Sequence, residues 1–159
     1  MGEIPFNLRI LATDHPIYDG YATRLVFKST DGGMVGILAH HCDELITIDV
    51  GEMQYDPAPE PGSEDKEENK DFDRSTKYVL AGEGFMQIIN GRVTAFVETA
   101  ERPDEIDEKR ALDALHRAEE AMAGKRIMED YAMTEANIQR ALARISEKHK
   151  FFSNINNVI

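Results

Sequence analysis

The dipeptide Asn90-Gly91 constrains the fold of this chain more than any other local feature. It separates two short apolar runs, residues 86–89 and 92–97. Asparagine and glycine tolerate positive φ better than other residues do, and both central positions of a type I′ turn require positive φ. The sequence therefore predicts a tight β-hairpin over residues 86–97.

Short strand-like runs occupy most of the first hundred residues. Residues 18–28 alternate between two faces, as a half-buried strand does. Further apolar or β-branched runs lie at 6–11, 34–38, 45–50, 52–55, 77–80 and 85–89. Because many short strands with frequent turns are typical of a sandwich or barrel, we predict an antiparallel β-sandwich of about 8–10 short strands over residues 1–99.

An acidic stretch at residues 56–76 interrupts the strand pattern. Three prolines open it, and it carries eight acidic residues against three basic ones. Its few apolar side chains bury too little surface to offset the entropy of ordering the chain. We predict a flexible insertion between strands, because strand-like runs resume after it. A solvated loop is the default interpretation, and an acidic binding segment is the alternative.

The pattern changes to helical spacing after Val97. Pro103 and the acidic residues that follow it predict a helix start, because acidic groups stabilise the positive end of the helix dipole. Gly124 marks its end. A second helix is predicted over about 130–148. The predicted contact faces are Ala111, Leu115, Ala118 and Met122 on the first helix, and Ile138, Ala141, Leu142 and Ile145 on the second.

These helices are predicted to form a two-helix antiparallel hairpin over residues 100–159. Alanine is frequent on its contact faces and buries little area, whereas each buried methylene contributes about 0.8 kcal/mol. We therefore expect a weakly sealed hairpin that is able to open.

Charge and cysteine content narrow the class of partner. The formal net charge is −12, and phosphates would repel such a chain, so nucleic acid is an unfavourable partner. The single cysteine, Cys42, indicates a reducing compartment. Residues 1–11 do not have the pattern of a signal peptide, and no apolar run approaches the length of about 18 residues expected of a membrane-spanning helix.

The most enzyme-like cluster is the run from His40 to Glu44, in which every residue type can ligate a metal. Consecutive residues of an extended chain point to opposite faces, so we expect them not to converge on one ion. The sequence also has no nucleophile-elbow motif and no P-loop. We predict neither a metal site nor catalytic residues. A metal-dependent enzyme that uses His40, His41 and Asp43 is the alternative.

A second polar cluster involves both predicted helices. It consists of Asp107, Arg110, Ala111 and Arg117 along one face of the first helix, and of Arg140 and Arg144 one turn apart on the second. Arginine side chains suit phosphate oxygens, and a carboxylate accepts hydrogen bonds from an adenine amino group or a ribose hydroxyl. A nucleotide site is one interpretation. Solvated ion pairs, such as Asp113 with Arg117, are the other.

Four stretches, taken in order, resemble the epsilon subunit of the bacterial F-type ATP synthase, which is called delta in mitochondria. Each motif alone is weak, whereas the ordered set spans residues 4–148 and is specific. The stretches are an early strand pair ending in a glycine-rich turn, followed by Gly36-Ile37-Leu38 and His41; Gly51; Gly84-Phe85-Met86-Gln87-Ile88 with Asn90-Gly91-Arg92-Val93-Thr94; and Ala100-Glu101-Arg102-Pro103, followed by Ile106-Asp107-Glu108-Lys109-Arg110-Ala111 and Arg117-Ala118-Glu119.

The resemblance implies the same sandwich and hairpin, and a non-catalytic subunit of the central stalk. Such a subunit links gamma to the c-ring, rotates with them and couples ion transport to ATP synthesis. Its C-terminal helices, when extended, reach the alpha and beta subunits and inhibit ATP hydrolysis. The expected location is peripheral, on the cytoplasmic face of the cell membrane through the complex. A free-standing ATP-binding protein is the alternative function.

The resemblance also implies site residues. Asp31, Met34 and His41 correspond to contacts with the c-ring and gamma. A regulatory ATP, rather than a required cofactor, is expected at the hairpin of some family members. The corresponding positions here are Glu101, Ile106, Asp107, Arg110, Ala111, Arg117, Arg140 and Arg144.

Overall fold

A computed structural model of the chain describes residues 3–63, 72–124 and 128–157. Contacts divide the chain into two compact units, the first ending at Ala100 and the second beginning at Glu101. The strands are β1 (Phe6–Ala12), β2 (Pro16–Lys28), β3 (Met34–Ile37), β4 (Glu44–Ile48), β5 (Gly51–Ala58), β6 (Lys77–Ala81), β7 (Gly84–Ile89), β8 (Arg92–Val97) and β9 (Ala100–Glu101). The helices are α1 (Glu108–Gly124) and α2 (Met128–Asn157).

The strands of the first unit form one hydrogen-bonded path in the order β4-β7-β8-β1-β2-β5-β6-β9, with β3 beside β2. Buried side chains from β1 to β8 belong to a single core cluster, so the sheet folds over on itself as a sandwich. The predicted β-sandwich is confirmed. Strands β1 and β8 pair in parallel, whereas the pairs β1–β2, β2–β3, β2–β5, β4–β7, β5–β6 and β7–β8 are antiparallel. The long chain between β1 and β8 makes this pairing feasible, since parallel neighbours need long connections.

The hairpin predicted from Asn90-Gly91 is confirmed. Ile89 pairs with Arg92, so the turn has two central residues, and their φ angles are 50° for Asn90 and 74° for Gly91. On β7 the side chains alternate between buried Met86 and Ile88 and their exposed neighbours. This alternation fixes which face of the hairpin meets solvent.

The predicted flexible insertion, residues 56–76, is placed to begin too early, because its first three residues belong to a strand. Residues 56–58 belong to β5 and pair with β2, where Pro57 lies opposite Ala22 and Ala58 lies opposite Tyr21. Both Pro57 and Ala58 are buried. The proline is tolerated because the pairing of β5 with β6 covers only 51–55, so it lies beyond that ladder. Residues 64–71 of the predicted insertion lie outside the described residues.

A polar cluster joins the two ends of the predicted insertion, residues 56–76. Arg24 on β2 donates from Nε to Oδ2 of Asp56 at 2.6 Å and from Nη2 to Oδ1 at 3.2 Å. Thr76 donates its hydroxyl to Asp56 Oδ1 at 2.6 Å. The hydrogen bonds from Arg24, and then from Thr76, lower the pKa of Asp56 below its usual 3.8. The carboxylate therefore ties the start of the segment to its end.

Substituting Arg24 by methionine is expected to lower the free energy of unfolding at pH 7 by about 1 kcal/mol, a modest value because the pair is partly exposed. A depressed folded-state pKa gives stability that is complete above 3.8 and is lost as pH falls through the folded pKa. The variant should therefore lose stability less steeply than the wild type below this pH. Urea denaturation across acidic pH measures both effects.

The matched control is Arg9→Met, because Arg9 pairs with Asp19 on the same sheet and both side chains are about half exposed. Its effect at pH 7 is expected to be near zero. Equal losses for the two variants would contradict a special role for Asp56.

The second unit consists of α1 and α2, packed as the predicted hairpin, and neither helix is long and apolar enough to cross a membrane. The predicted start of α1 at Pro103 is wrong, because Arg102–Glu105 forms a turn closed by a hydrogen bond from Glu105 N to Arg102 O. The second helix continues beyond 148 to Asn157, and no proline or glycine interrupts this extension.

Alanine contributes much of the buried part of the helical unit, in which Thr134 and Glu147 are also buried. Ala111, Ala118 and Ala141 are buried, as expected for an interface of small side chains. Leu142 was predicted on the same face, but 46% of it is exposed. That prediction is therefore wrong.

Candidate functional site

The base of the hairpin, defined as residues 101–108, carries a multidentate salt bridge to α2. Arg144 donates from Nε to both oxygens of Glu101 at 3.1 and 3.0 Å, and from Nη2 to Oε1 at 2.6 Å. Both side chains are about two-thirds buried. Such a multidentate pair is stronger than a single neutral hydrogen bond. It joins α2 to the segment that precedes α1.

Two further side chains of α2 hold the same base. Lys148 donates from Nζ to the carbonyl oxygens of Pro103 and Asp104, at 3.3 Å each. His149 Nε2 lies 2.7 Å from Glu108 Oε1. Sequence reasoning missed both residues, although Lys148 lies one helical turn after Arg144, a spacing that brings side chains together on a helix, and His149 follows it directly. These residues of α2 hold it to the hairpin base.

Asp107 has a local structural role at the start of α1. Its Oδ1 accepts a hydrogen bond from Arg110 N at 3.1 Å, and its carbonyl oxygen accepts from Ala111 N at 3.0 Å. This is the geometry of an N-cap, which satisfies an amide that the helix leaves without a partner. Ile106 and Ala111, on either side of the cap, are buried. The Ile-Asp-x-x-Arg-Ala motif therefore shapes the helix entrance.

Two of the other predicted arginines, Arg117 and Arg140, have local hydrogen-bond partners. Arg117 donates from Nε to the carbonyl oxygen of Asp113 at 3.1 Å, and Arg140 donates from Nη1 to Asn137 Oδ1 at 3.3 Å. The side chain of Arg110 lies on an exposed position. Of the eight predicted nucleotide residues, the structure therefore brings Glu101 and Arg144 into direct contact.

The sandwich carries an exposed apolar surface, which we call the outer face: Leu45 on β4, Phe85 and Ile89 on β7, and Phe96 on β8. Leu45 is 67% exposed, and Phe85 and Ile89 are 43% and 46% exposed. Phe85 and Phe96 are cross-strand partners whose rings stack with centroids 5.0 Å apart. Contiguous apolar side chains on a sheet surface indicate a protein contact. Sequence reasoning found these strands but did not single out their outward side chains.

A surface depression of about 560 Å³ continues the outer face toward the β7–β8 turn. Gln87, Ile89, Asn90, Arg92 and Thr94 line it. Leu45 lies opposite Gln87 in the β4–β7 pairing, between the positions of Phe85 and Ile89. The apolar side chains and the polar depression thus form one continuous surface.

The predicted c-ring and gamma contacts lie around β3. Asp31, in the turn before this strand, and Met34, its first residue, are exposed. His41 is in the loop after the strand, and a quarter of its side chain is exposed. Asp31 and His41 therefore lie beyond opposite ends of β3, a strand of four residues.

The loop after β3 does not have the extended conformation that the sequence argument assumed. His40 has a φ of 63°, so the chain turns at this residue. One ligand atom from each of His41, Cys42 and Glu44 then lies within 4.8 Å of the others. The expectation that these side chains diverge is thus wrong for these three residues. Asp43 has a different role, because its Oδ1 accepts a hydrogen bond from Asn90 N at 2.8 Å.

Comparison with known proteins covers both units. Residues 5–103 match the beta-sandwich domain of the ATP synthase Delta/Epsilon chain, and residues 104–146 match the long alpha-helix domain of the same chain. The ATP synthase epsilon chain of Ruminiclostridium cellulolyticum is 31% identical over 91% of this chain and 96% of its own length. That of Herpetosiphon aurantiacus is 33% identical over 89% and 93%, respectively.

A solved structure supports the fold. A chain in the mitochondrial ATP synthase of Euglena gracilis, determined as an OSCP/F1/c-ring assembly, superposes with a TM-score of 0.65 and 17% identity. The superposition covers 89% of this chain and 81% of that one.

Proposed function

Since this chain belongs to the ATP synthase delta/epsilon chain family, we propose that it is a non-catalytic subunit of the central stalk that links gamma to the c-ring. It rotates with them and couples ion transport to ATP synthesis. Its relatives are epsilon chains matched over almost their whole length, which favours this function over a free-standing ATP-binding protein. It is peripheral to the cell membrane, held on the cytoplasmic face by the complex.

The outer face is the observation that carries this proposal. It exposes aromatic and aliphatic side chains on a rigid sheet, and such side chains commonly provide most of the binding energy of an interface. We assign this face to gamma. The exposed residues Asp31 and Met34, together with the partly exposed His41, are assigned to the c-ring side of the contact. Binding through the sandwich leaves the helical unit available for regulation.

The test of this proposal replaces Leu45 and Phe85 together by aspartate. The introduced charges would have to be buried unpaired in the interface, so each substitution is expected to cost about 2 kcal/mol or more in binding, or about 30-fold in affinity. The full-length variant should therefore fail to co-purify with gamma. The measurement is co-purification from membranes, followed by titration onto complex depleted of this subunit.

Tyr78→Asp is the control, because Tyr78 is an exposed aromatic residue on β6, outside the outer face. It should co-purify like the wild type. Retention of the double variant would reject the outer face as the interface. Failure of the wild-type chain to co-purify with gamma would reject the subunit proposal itself.

We further propose that the hairpin regulates ATP hydrolysis and binds ATP when closed. The predicted nucleotide residues Glu101 and Arg144 meet at the hairpin base, where the guanidinium group is pre-oriented by the carboxylate. Phosphate oxygens are favourable partners for such a group. ATP would thus join the contacts that already hold α2 to the base and would favour the closed hairpin over the extended one.

Calorimetry with ATP tests this site on the full chain. Arg144→Ala and Arg110→Ala are each expected to weaken ATP binding by about tenfold or more, since a hydrogen bond to a charged group contributes about 1.5–3 kcal/mol. Lys109→Ala is the matched control, because it removes a cation from the adjacent position of α1 and should bind ATP as the wild type does. Equal heats for all four proteins would mean that this face is not the ATP site.

A further inference from the structure

The loop between β3 and β4 groups three side chains of the types that bind transition metals. His41, Cys42 and Glu44 each contribute a ligand atom, and these atoms lie within 4.8 Å of one another. Cys42 and Glu44 are exposed, so an ion can reach them from solvent. We propose that these three residues bind one Zn²⁺ ion. The proposal does not rest on the stalk function, because the distances that carry it lie within this chain, although it shares His41 with the assigned c-ring contact.

The distances are close to those that a bound ion requires. His41 Nε2 lies 4.0 Å from Glu44 Oε2, and Cys42 Sγ lies 3.9 Å from the other nitrogen of the same ring, Nδ1, which is not the proposed ligand atom. Zn²⁺ binds nitrogen and oxygen at about 2.0–2.2 Å and sulfur at about 2.3 Å, so tetrahedral ligand atoms lie roughly 3.3–3.7 Å apart. Small side-chain rotations are sufficient to close this gap, since none of the three side chains is buried.

A hydrogen bond orients the imidazole for this role. His41 Nδ1 lies 3.0 Å from the carbonyl oxygen of Cys42. When Nδ1 donates to this oxygen, the lone pair of Nε2 is directed to the side of Glu44. Metal-binding histidines usually have such a partner on their other nitrogen, which fixes the tautomer and the orientation of the ring.

The backbone holds the loop in the required shape. The positive φ of His40 redirects the chain, a conformation that is uncommon for residues other than glycine and that clusters at functional sites. The hydrogen bond from Asn90 N to Asp43 ties the loop to the β7–β8 turn. Asp43 is thereby separated from the ligand group, to which its sequence neighbours Cys42 and Glu44 belong.

The ligand set selects the metal. One imidazole, one thiolate and one carboxylate suit the borderline-soft Zn²⁺, whereas Mg²⁺ and Ca²⁺ prefer sites made of oxygen atoms. Cys42 would bind as the thiolate and release its proton to solvent. Three protein ligands leave a fourth position for water or for a side chain of a neighbouring subunit.

The experiment titrates Zn²⁺ into the reduced full-length chain in competition with a chromogenic chelator, with a phosphine as reductant. One ion per chain is expected. Cys42→Ser, His41→Ala and Glu44→Gln should each lower the affinity by about tenfold or more. Co²⁺ as a second probe should show a thiolate charge-transfer band that Cys42→Ser abolishes. Circular dichroism of each variant checks that the sandwich is folded.

His40→Asn is the matched control, because it removes the adjacent imidazole while asparagine tolerates the same positive φ. It should bind Zn²⁺ as the wild type does. A large excess of Mg²⁺ should not displace the ion. The proposal is overturned if the wild type binds no stoichiometric Zn²⁺, if the ligand substitutions leave the affinity unchanged, or if Mg²⁺ competes.

Discussion

Replacing Gly84 by alanine is expected to lower the free energy of unfolding of the sandwich by about 3 kcal/mol or more. A β-carbon at this position would lie 2.0 Å from the carbonyl oxygen of Phe96 and 2.8 Å from Cα of Val97. Both are backbone atoms, which cannot rotate away as a side chain can. Strand β7 would therefore have to move from β8 where Gly84 pairs with Val97.

Gly36→Ala is the control for this prediction. Gly36 is also a strand glycine, but apart from Gly36 itself and its two chain neighbours no atom of the described residues lies within 4 Å of a β-carbon placed there. Its effect should be within about 1 kcal/mol, because only the entropy of the unfolded chain changes. Urea denaturation of both variants measures the difference. Similar stabilities would show that the close approach of β7 and β8 relaxes without cost.

Deleting residues 104–159 is expected to raise ATP hydrolysis by the assembled complex while the truncated chain remains bound. The proposed inhibitory helices are removed, whereas the core cluster of the sandwich and the outer face lie entirely before residue 101. If about nine of ten complexes are inhibited at a given moment, hydrolysis should rise about tenfold. The measurement is the initial rate of phosphate release by reconstituted complexes.

Arg144→Ala is the companion to the deletion, because it removes the pair with Glu101 but keeps both helices. Opening the hairpin base in this way favours the extended, inhibitory arrangement, so hydrolysis should fall rather than rise. Unchanged hydrolysis after the deletion would remove regulation from the proposed function. Loss of the truncated chain from the complex would show instead that the hairpin contributes to binding.

Local chemistry made much of the fold predictable. Asn90-Gly91 determined its own turn because few residues accept positive φ, and the apolar runs on either side of it identified β7 and β8. Contacts made by the folded chain explain the predictions that were wrong. Residues 56–58 have the composition of a loop, yet pairing with β2 orders them. Pro103 suits a helix start, but Asp107 provides the cap that begins α1 at Glu108.

The candidate site was predictable in part. Residue types and helical spacing identified Arg144 as a member of a polar group, and the family resemblance added Glu101, but their direct contact across 43 positions depends on how α2 packs. The same packing determined the contacts of Lys148 and His149 with the hairpin base. Residue types alone identified every residue of the His40–Glu44 run as a possible metal ligand. The prediction assumed an extended backbone, whereas the loop turns at His40.

The sequence by itself determined the two-part architecture, the β7–β8 turn and the family, because these depend on periodicity, on φ preferences and on the order of motifs. Only the tertiary structure decided which side chains meet. It placed Leu45, Phe85 and Phe96 on one outward surface, joined Arg144 to Glu101 and gathered His41, Cys42 and Glu44. Such contacts depend on strand register, on helix packing and on the left-handed backbone conformation of His40. No local sequence pattern specifies any of these.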